Sequence, residues 1–382
     1  MPKTCNVALI GQKFMGRAHS NAYSQVAHFF DLPRIPHRRL ISARNAAELK
    51  EFAAKWGWEE STTRWQDIAE HPDIDLVDVG TPNDVHRDQS VAMLEAGKHV
   101  ACEKPLAGTL ADARAMVQAA KKAKKSKTFV WFNYRRCPAV ALAQQMVAKG
   151  RLGDIYHVRA TYLQSWAGPA VPLLWRFKKK IAGSGAHGDL NAHIIDMARF
   201  ITGDEIAEIN GAVAKTMIKE RTIPGSRKKG RSDVDDCVLF LTTFKKGAVG
   251  SFEATRLAPG NQNRNTIEIN GSKGSVKFDF EDMNVLQFHE GFGGEQASGW
   301  TRIMCTDANH HPYAGNWWPD AHVLGYEHGF VNMAADIMRV LGGRKPAVPM
   351  PDFADAYETQ RVLEASMISA KERCAIKMSQ VK

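Results

Sequence analysis

At 382 residues the chain is longer than one ordinary hydrophobic core supports, so two domains are expected. With 44% hydrophobic residues and no run near the roughly 18 apolar residues of a membrane span, it reads as a folded globular protein. The net charge of +10 gathers in clusters at 121–127, 178–180 and 227–231 that lack interleaved aromatics, which argues against a nucleic-acid binder and for a solvated surface that helps draw in anions.

Six cysteines (5, 102, 137, 237, 305 and 374) show no C-x-x-C spacing, so neither zinc nor a disulfide framework is indicated, and a reduced cytoplasm fits. Met-Pro-Lys-Thr-Cys runs straight into Val7–Ile10 without the length or cleavage site of a signal peptide. Residues 5–10 read as an apolar strand, followed by Gly11-Gln12-Lys13-Phe14-Met15-Gly16 and a helical pattern. A G-x-x-x-x-G turn permits a tight bend and close strand–helix packing, and turns a helix N-terminus toward a pyrophosphate. Lys13 stands where a dinucleotide fingerprint has its second glycine, so a plain βα turn explains the stretch about as well. Gly11, Lys13, Phe14 and Met15 are the first cofactor candidates.

A proline-bearing loop at 31–37 leads to a second strand at 38–43. NAD-binding domains usually place an acid at the end of this strand for the ribose 2′-hydroxyl. Ser42-Ala43-Arg44-Asn45 has none, and Ser42 with Arg44 suits a 2′-phosphate, which tips the expectation to NADP or to use of both NAD and NADP. The strand at 75–79 ends in Gly80-Thr81-Pro82-Asn83 before a helix with His86, adding Thr81, Asn83 and His86.

The strand at 98–102 ends in Glu103-Lys104-Pro105. In an open parallel sheet, ligands sit beyond the carboxyl ends of the strands. Pro105 restrains the residue before it to extended geometry, so Lys104 is held in one direction. Helix 109–124 and strand 128–132 complete the strand–helix alternation of a Rossmann domain.

After helix 138–149 the pattern changes to long alternating strands at 154–165, 207–216, 235–245, 247–256, 264–270 and 273–280. Short turns such as Asn270-Gly271-Ser272 predict a large, mostly antiparallel open sheet. One helix, 187–201, interrupts it, and helical patterns return at 322–341 and 352–371. The expected fold is α/β. An N-terminal Rossmann dinucleotide-binding domain covers 1–136, and a C-terminal α+β domain for substrate binding and oligomerisation covers 137–382, its last helix packing back toward the first domain.

Helix 187–201 carries Asp189 and His193 four apart, on one face, with Asp196 a turn further on. Such an acid can orient an imidazole and support its cation, though by itself the spacing is more often structural. The order of the 11–16 turn, Thr81-Pro82-Asn83, Glu103-Lys104-Pro105, and Asp189 with His193 resembles the Gfo/Idh/MocA family of sugar oxidoreductases over essentially the whole chain. Phe132-Asn133-Tyr134-Arg135-Arg136, Tyr162-Leu163-Gln164, Trp175-Arg176-Phe177 and Ile181–Ala186 resemble its branch containing levoglucosan dehydrogenase and related glycoside and inositol dehydrogenases. Lys13, and Asn191 where the family often has glycine, depart from the pattern.

The resemblance implies that Lys104, Asp189 and His193 form the catalytic set, with Glu103 and Lys104 also at the cofactor. It implies hydride transfer between a carbohydrate ring hydroxyl and NAD or NADP in a homodimer or homotetramer, with no nucleic-acid, membrane or metal partner. Asn133, Tyr134, Arg135, Tyr162, Gln164, Trp166, Trp175 and Arg176 supply donors, acceptors and a flat wall for a sugar, and Trp175 and Arg176 alternatively abut the nicotinamide. The segment His310–Asp320 is either a rim over the sugar or an ordered loop packing its tryptophans. Two other functions share these motifs: glycoside cleavage through transient oxidation, and non-catalytic dinucleotide sensing.

Overall fold

The computed structural model describes residues 2–292 and 298–382. It divides into two compact units: Met1–Arg136 with Pro312–Trp318 and Leu324–Tyr357, and Cys137–His311 with Pro319–Val323 and Glu358–Lys382. Among the described residues, the helices in chain order are α1 (Phe14–Phe29), α2 (Ala46–Trp56), α3 (Gln66–Glu70), α4 (His86–Glu95), α5 (Leu110–Lys122), α6 (Pro138–Ala148), α7 (Lys179–Ala182), α8 (Ala192–Thr202), α9 (Ala314–Trp317), α10 (Tyr326–Leu341) and α11 (Phe353–Glu372).

The first unit is built on β1 (Lys3–Ile10), β2 (Arg34–Ser42), β3 (Glu60–Thr62), β4 (Leu76–Val79), β5 (His99–Cys102) and β6 (Thr128–Val130), all parallel in the order 3-2-1-4-5-6. This is the doubly wound arrangement, whose strand order reverses between β1 and β4. Val7–Ile10, Leu76–Val79 and Val100–Cys102 are buried, as strands must be when helices cover both faces, and all but Asp78 are apolar. The second strand starts earlier than the proline loop suggested, at Arg34, with Pro36 opposite Cys5. β3 pairs only with Leu40–Ser42, so residues 34–39 form an open edge where proline costs no ladder bond.

The second unit carries β7 (Ile155–Gln164), β8 (Ile206–Lys215), the ribbon β9 (Glu220–Thr222) and β10 (Lys229–Arg231), then β11 (Cys237–Phe244), β12 (Val249–Thr255), β13 (Asn263–Gly271), β14 (Gly274–Asp279), β15 (Val285–Glu290), β16 (Thr301–Met304) and β17 (Ile376–Lys377). All but the ribbon join one sheet in the order 16-15-14-13-7-12-11-8-17. Its ladders are antiparallel except β7 with β12, which is the mostly antiparallel open sheet expected. Along β11, Val238, Phe240 and Thr242 turn inward, while Leu239 and Leu241 are exposed, leaving apolar side chains on the outer face.

The sequence reading put residues 312–357 in the second domain, whereas Pro312–Trp318 and Leu324–Tyr357 join the first unit. Their aromatics need a surface, and α1 provides it. The Trp317 ring lies 4.3 Å from Phe29, and its Nε1 donates to Asn332 at 2.9 Å. Tyr313 and Trp317 are therefore packed core residues and not a rim over a sugar, while Trp318 is exposed. α11 begins in the first unit and continues in the second.

Asp336 of α10 ties these additions down. Fully buried, it accepts from Ala347 N (2.8 Å), Arg339 (3.2 Å), the Tyr313 hydroxyl and the buried Arg136 guanidinium (3.4 Å). Losing one partner of a buried ion pair costs on the order of 3–5 kcal/mol, because it strands the other charge. Asp336→Ala should therefore lower the unfolding free energy extrapolated from urea titration by an amount in that range, and a loss below about 1 kcal/mol would remove this role.

Candidate active site

Backbone sterics build the dinucleotide turn. Gly11 has φ +120°, and a Cβ there would lie 2.5 Å from Gly80 O. A Cβ on Gly16 would lie 2.4 Å from Gly11 O. Both ends of the motif are thus glycine for want of space. Lys13, by contrast, has φ −83°, outside the left-handed region that favours glycine, so its departure from the fingerprint leaves the turn intact. The first turn of α1 carries neither a side-chain cap nor an acid, and beside it Gln12 Oε1 is buried without a hydrogen-bond partner among the described residues. Free amides, the positive end of the helix dipole and backbone in close approach fit a pyrophosphate.

At the end of β2, Ser42 is buried and its carbonyl accepts from Gly11 N at 2.9 Å, while Arg44 is exposed. The sequence reading missed Glu48. Its carboxylate accepts from Gln12 Nε2 (3.0 Å), Asn45 Nδ2 (2.9 Å) and the Lys13 ammonium, and these donors, Lys13 foremost, lower its pKa. An acid absent from the strand end is supplied by the next helix. The Asn45-x-x-Glu48 spacing of a capping box was the available signal, since Asn45 Oδ1 accepts from Glu48 N.

Thr81 lies in the loop after β4, His86 opens α4, and Pro105 lies in the loop after β5. The His86 ring nitrogens lie 2.9 Å from Thr81 O and 3.2 Å from Pro105 O, stapling the two loops, and burial lowers its pKa. Thr81 Oγ1 donates to Gln89 at 2.7 Å, and Asn83 opens a short 3-10 turn. Glu103 is buried, and its Oε2 accepts from Lys104 N at 3.0 Å. Its Oε1 lies 3.1 Å from Nε2 of His19, whose Nδ1 is 3.0 Å from Asp78. Asp78 also accepts from Tyr23 (2.8 Å) and Trp131 (3.1 Å). Asn133, Tyr134 and Arg135 form a buried 3-10 turn after β6, with Arg135 ion-paired to Asp355.

In the second unit, His187–Asn191 is wound as a π turn that runs into α8, where the sequence predicted one regular helix. The Asp235 carboxylate accepts from Gly185 N (2.8 Å) and His187 N (2.7 Å) and holds the segment against the sheet. Asn191 donates to His187 Nδ1 at 2.9 Å, leaving the His187 Nε2–H to donate to Leu363 O. That pair gives the Asn191 amide a fixed place in the turn. Asp189 is partly exposed, and its carboxylate lies 3.6 Å from the buried Arg256, a partner the sequence did not reveal.

His193 is buried with its ring 5.9 Å from Tyr162. Tyr162 OH and Gln164 Nε2 both donate to Asn263 Oδ1 (2.7 and 2.6 Å), and Trp166 donates to Gln164 (2.7 Å). A polar row on β7 is thus set by a β13 asparagine that sequence reasoning missed. Arg176 stacks over Trp175 at 4.5 Å. Among the described residues no cluster of three or more His, Cys, Asp or Glu is arranged to hold a metal ion, and no helix is long and apolar enough to cross a membrane.

An all-parallel doubly wound sheet with a glycine-bounded turn at its switch point defines a dinucleotide-binding protein. Residues 5–132 match the oxidoreductase family with an NAD-binding Rossmann fold, and residues 140–277 match the GFO/IDH/MocA C-terminal domain. Levoglucosan dehydrogenase of Pseudarthrobacter phenanthrenivorans is 41% identical over 393 residues, covering 98% of each chain. An oxidoreductase domain protein from Kribbella flavida superposes with a TM-score of 0.94 at 47% identity, covering 99% of this chain and 100% of that one. A levoglucosan dehydrogenase in complex with NADH and levoglucosan gives 0.93 at 41%, covering 98% and 99%. The chain belongs to the Gfo/Idh/MocA family of oxidoreductases.

Gly16→Ala forces the turn and α1 apart, because the methyl meets main chain. A fluorescence titration should show the Kd for NADH rising at least about tenfold in a variant that still folds, equivalent to about 1.4 kcal/mol. An unchanged Kd would take this turn out of the cofactor site.

Proposed function

We propose that this protein is a dehydrogenase that oxidises a ring hydroxyl of a sugar, anhydrosugar, glycoside or cyclitol at the expense of NAD. The reading is carried by a lysine whose main chain is anchored through Glu103 at the carboxyl end of β5, in a chain that matches levoglucosan dehydrogenase over nearly its full length. The first unit is assigned the dinucleotide and the second the substrate. When bound, the nicotinamide supplies the hydride acceptor.

Oxidation also requires the hydroxyl to lose its proton. Imidazole titrates near the operating pH, so neutral His193 is the base in this reading. The Lys104 ammonium stabilises negative charge growing on that oxygen. Asp189 orients the imidazole, its own charge balanced by Arg256. Tyr162 and Gln164, fixed by Asn263, and Asn133 and Tyr134 offer hydrogen bonds to the other hydroxyls.

Ser42 and Arg44 favoured NADP or dual use, but Glu48 supports NAD: a carboxylate at the dinucleotide turn repels a 2′-phosphate and suits a ribose hydroxyl. The outer apolar face of the large sheet, with Val213, Leu239, Leu241 and Val249 exposed, supports a homo-oligomer, and a monomer mass by light scattering would overturn that assignment.

A screen of anhydrosugars, glycosides and cyclitols with each cofactor, followed by reduced-nicotinamide absorbance, tests the reading. The expected result is net NADH formation with at least one, a higher kcat/KM for NAD than for NADP, and a narrower ratio in Glu48→Gln. Lys104→Ala and His193→Ala should each cut kcat by about a hundredfold or more, with cofactor Kd nearly unchanged. Full turnover by either variant, or substrate conversion without net NADH, would refute the assignment.

A further inference from the structure

We infer that His19, a core residue of α1, is a positioning residue for Lys104: held as a buried cation between Asp78 and Glu103, it fixes the carboxylate that anchors the lysine's main chain. The inference rests on the reading of Lys104 as the cation at the reacting oxygen. Its geometry lies wholly within the first unit. His19 and Asp78 are fully buried, and Glu103 nearly so. Nδ1 faces Asp78 at 3.0 Å and Nε2 faces Glu103 at 3.1 Å. The other Glu103 oxygen accepts from Lys104 N at 3.0 Å.

Proton counting gives the reason. A neutral imidazole has one N–H and one bare lone pair. With a carboxylate at each ring nitrogen, loss of the proton turns one of the two bonds into a repulsion, and either Asp78 or Glu103 is released. Asp78 keeps two further donors, Tyr23 at 2.8 Å and Trp131 at 3.1 Å, so Glu103 is the carboxylate with less to hold it. The titratable groups that act on His19 are Asp78 from β4 and Glu103 from the end of β5, and Tyr23 of its own helix reaches the same Asp78. The ring faces are covered by Trp131 at 4.1 Å and by Phe330 of α10 at 5.7 Å. Burial by itself would lower the His19 pKa, but Asp78 and then Glu103 outweigh it and raise it from 6.5 to about 9. The cationic clamp is therefore complete at neutral pH and is lost as the pH rises through about 9.

The test combines kcat–pH profiles of the wild type, His19→Gln, Lys104→Ala and the double variant with 15N spectra of histidine-labelled wild type. The expected wild-type kcat falls as the pH passes about 9 while KM for the cofactor holds. His19→Gln should lower kcat at neutral pH at least about tenfold, lack that alkaline step, and add nothing in the Lys104→Ala background. Wild-type turnover by His19→Gln, or multiplicative effects of the two substitutions, overturns the inference while leaving the Lys104 assignment standing. Full turnover by Lys104→Ala overturns both. Should His19→Gln not fold, Glu103→Gln replaces it: the amide still accepts from Lys104 N but cannot balance a cation, so the alkaline step should shift to lower pH. The His19 ring signals are identified as those lost in the His19→Gln spectrum, and a His19 imidazole with one unprotonated ring nitrogen at pH 7.5 overturns the inference.

Discussion

A carboxylate placed in the middle of a parallel sheet has no water to turn to, and Asp78 on β4 is such a group. It is tolerable only if every lone pair finds a donor. His19 and Tyr23 reach it from α1, and Trp131 from the residue after β6, so one anion dictates how the first helix lies on the sheet and where the sheet's far edge ends. The same α1 begins at the glycine-bounded turn. The orientation of the helix end offered to a pyrophosphate, and the anchoring of Glu103 behind Lys104, are consequences of satisfying a single buried charge.

The second unit solves a comparable problem with arginines. Arg221 and Arg256 are both buried and lie over the Phe177 ring, at 3.7 and 5.4 Å. Arg221 spends its donors on the carbonyls of Ala167, Gly168 and Val171, and so closes the loop that follows β7. Arg256 keeps its charge against Asp189. The π turn that carries Asp189 exists because Gly185 lies hard against the Asp235 backbone, where a Cβ would come within 1.8 Å of a carbonyl oxygen. Position and charge of the acid are thus fixed by different neighbours.

Much of this was legible in the residues. The apolar runs of β1, β4 and β5 and the Glu-Lys-Pro end of β5 follow from local pattern, as do the long alternating strands of the second sheet. Glu48 was overlooked because the acid was sought on the strand and not at the third position of the next helix. The allegiance of residues 312–357 was illegible for a different reason. Periodicity shows that α10 has an apolar face, but only folding shows that the surface it buries against is α1. Arg256 and Asn263 likewise matter through partners 67 and 99 to 101 residues away along the chain, a distance at which sequence spacing carries no geometric information.

Lys13 has a negative φ, so the turn does not require glycine there, and its side chain is largely exposed. The charge at this corner is coupled to α2 through the Glu48 carboxylate, but not to the close glycine packing of the turn itself. Exchanging this one solvent-facing residue would therefore alter both the ion pair with Glu48 and the field met by an anionic cofactor, while the contacts that require glycine at 11 and 16 stay untouched.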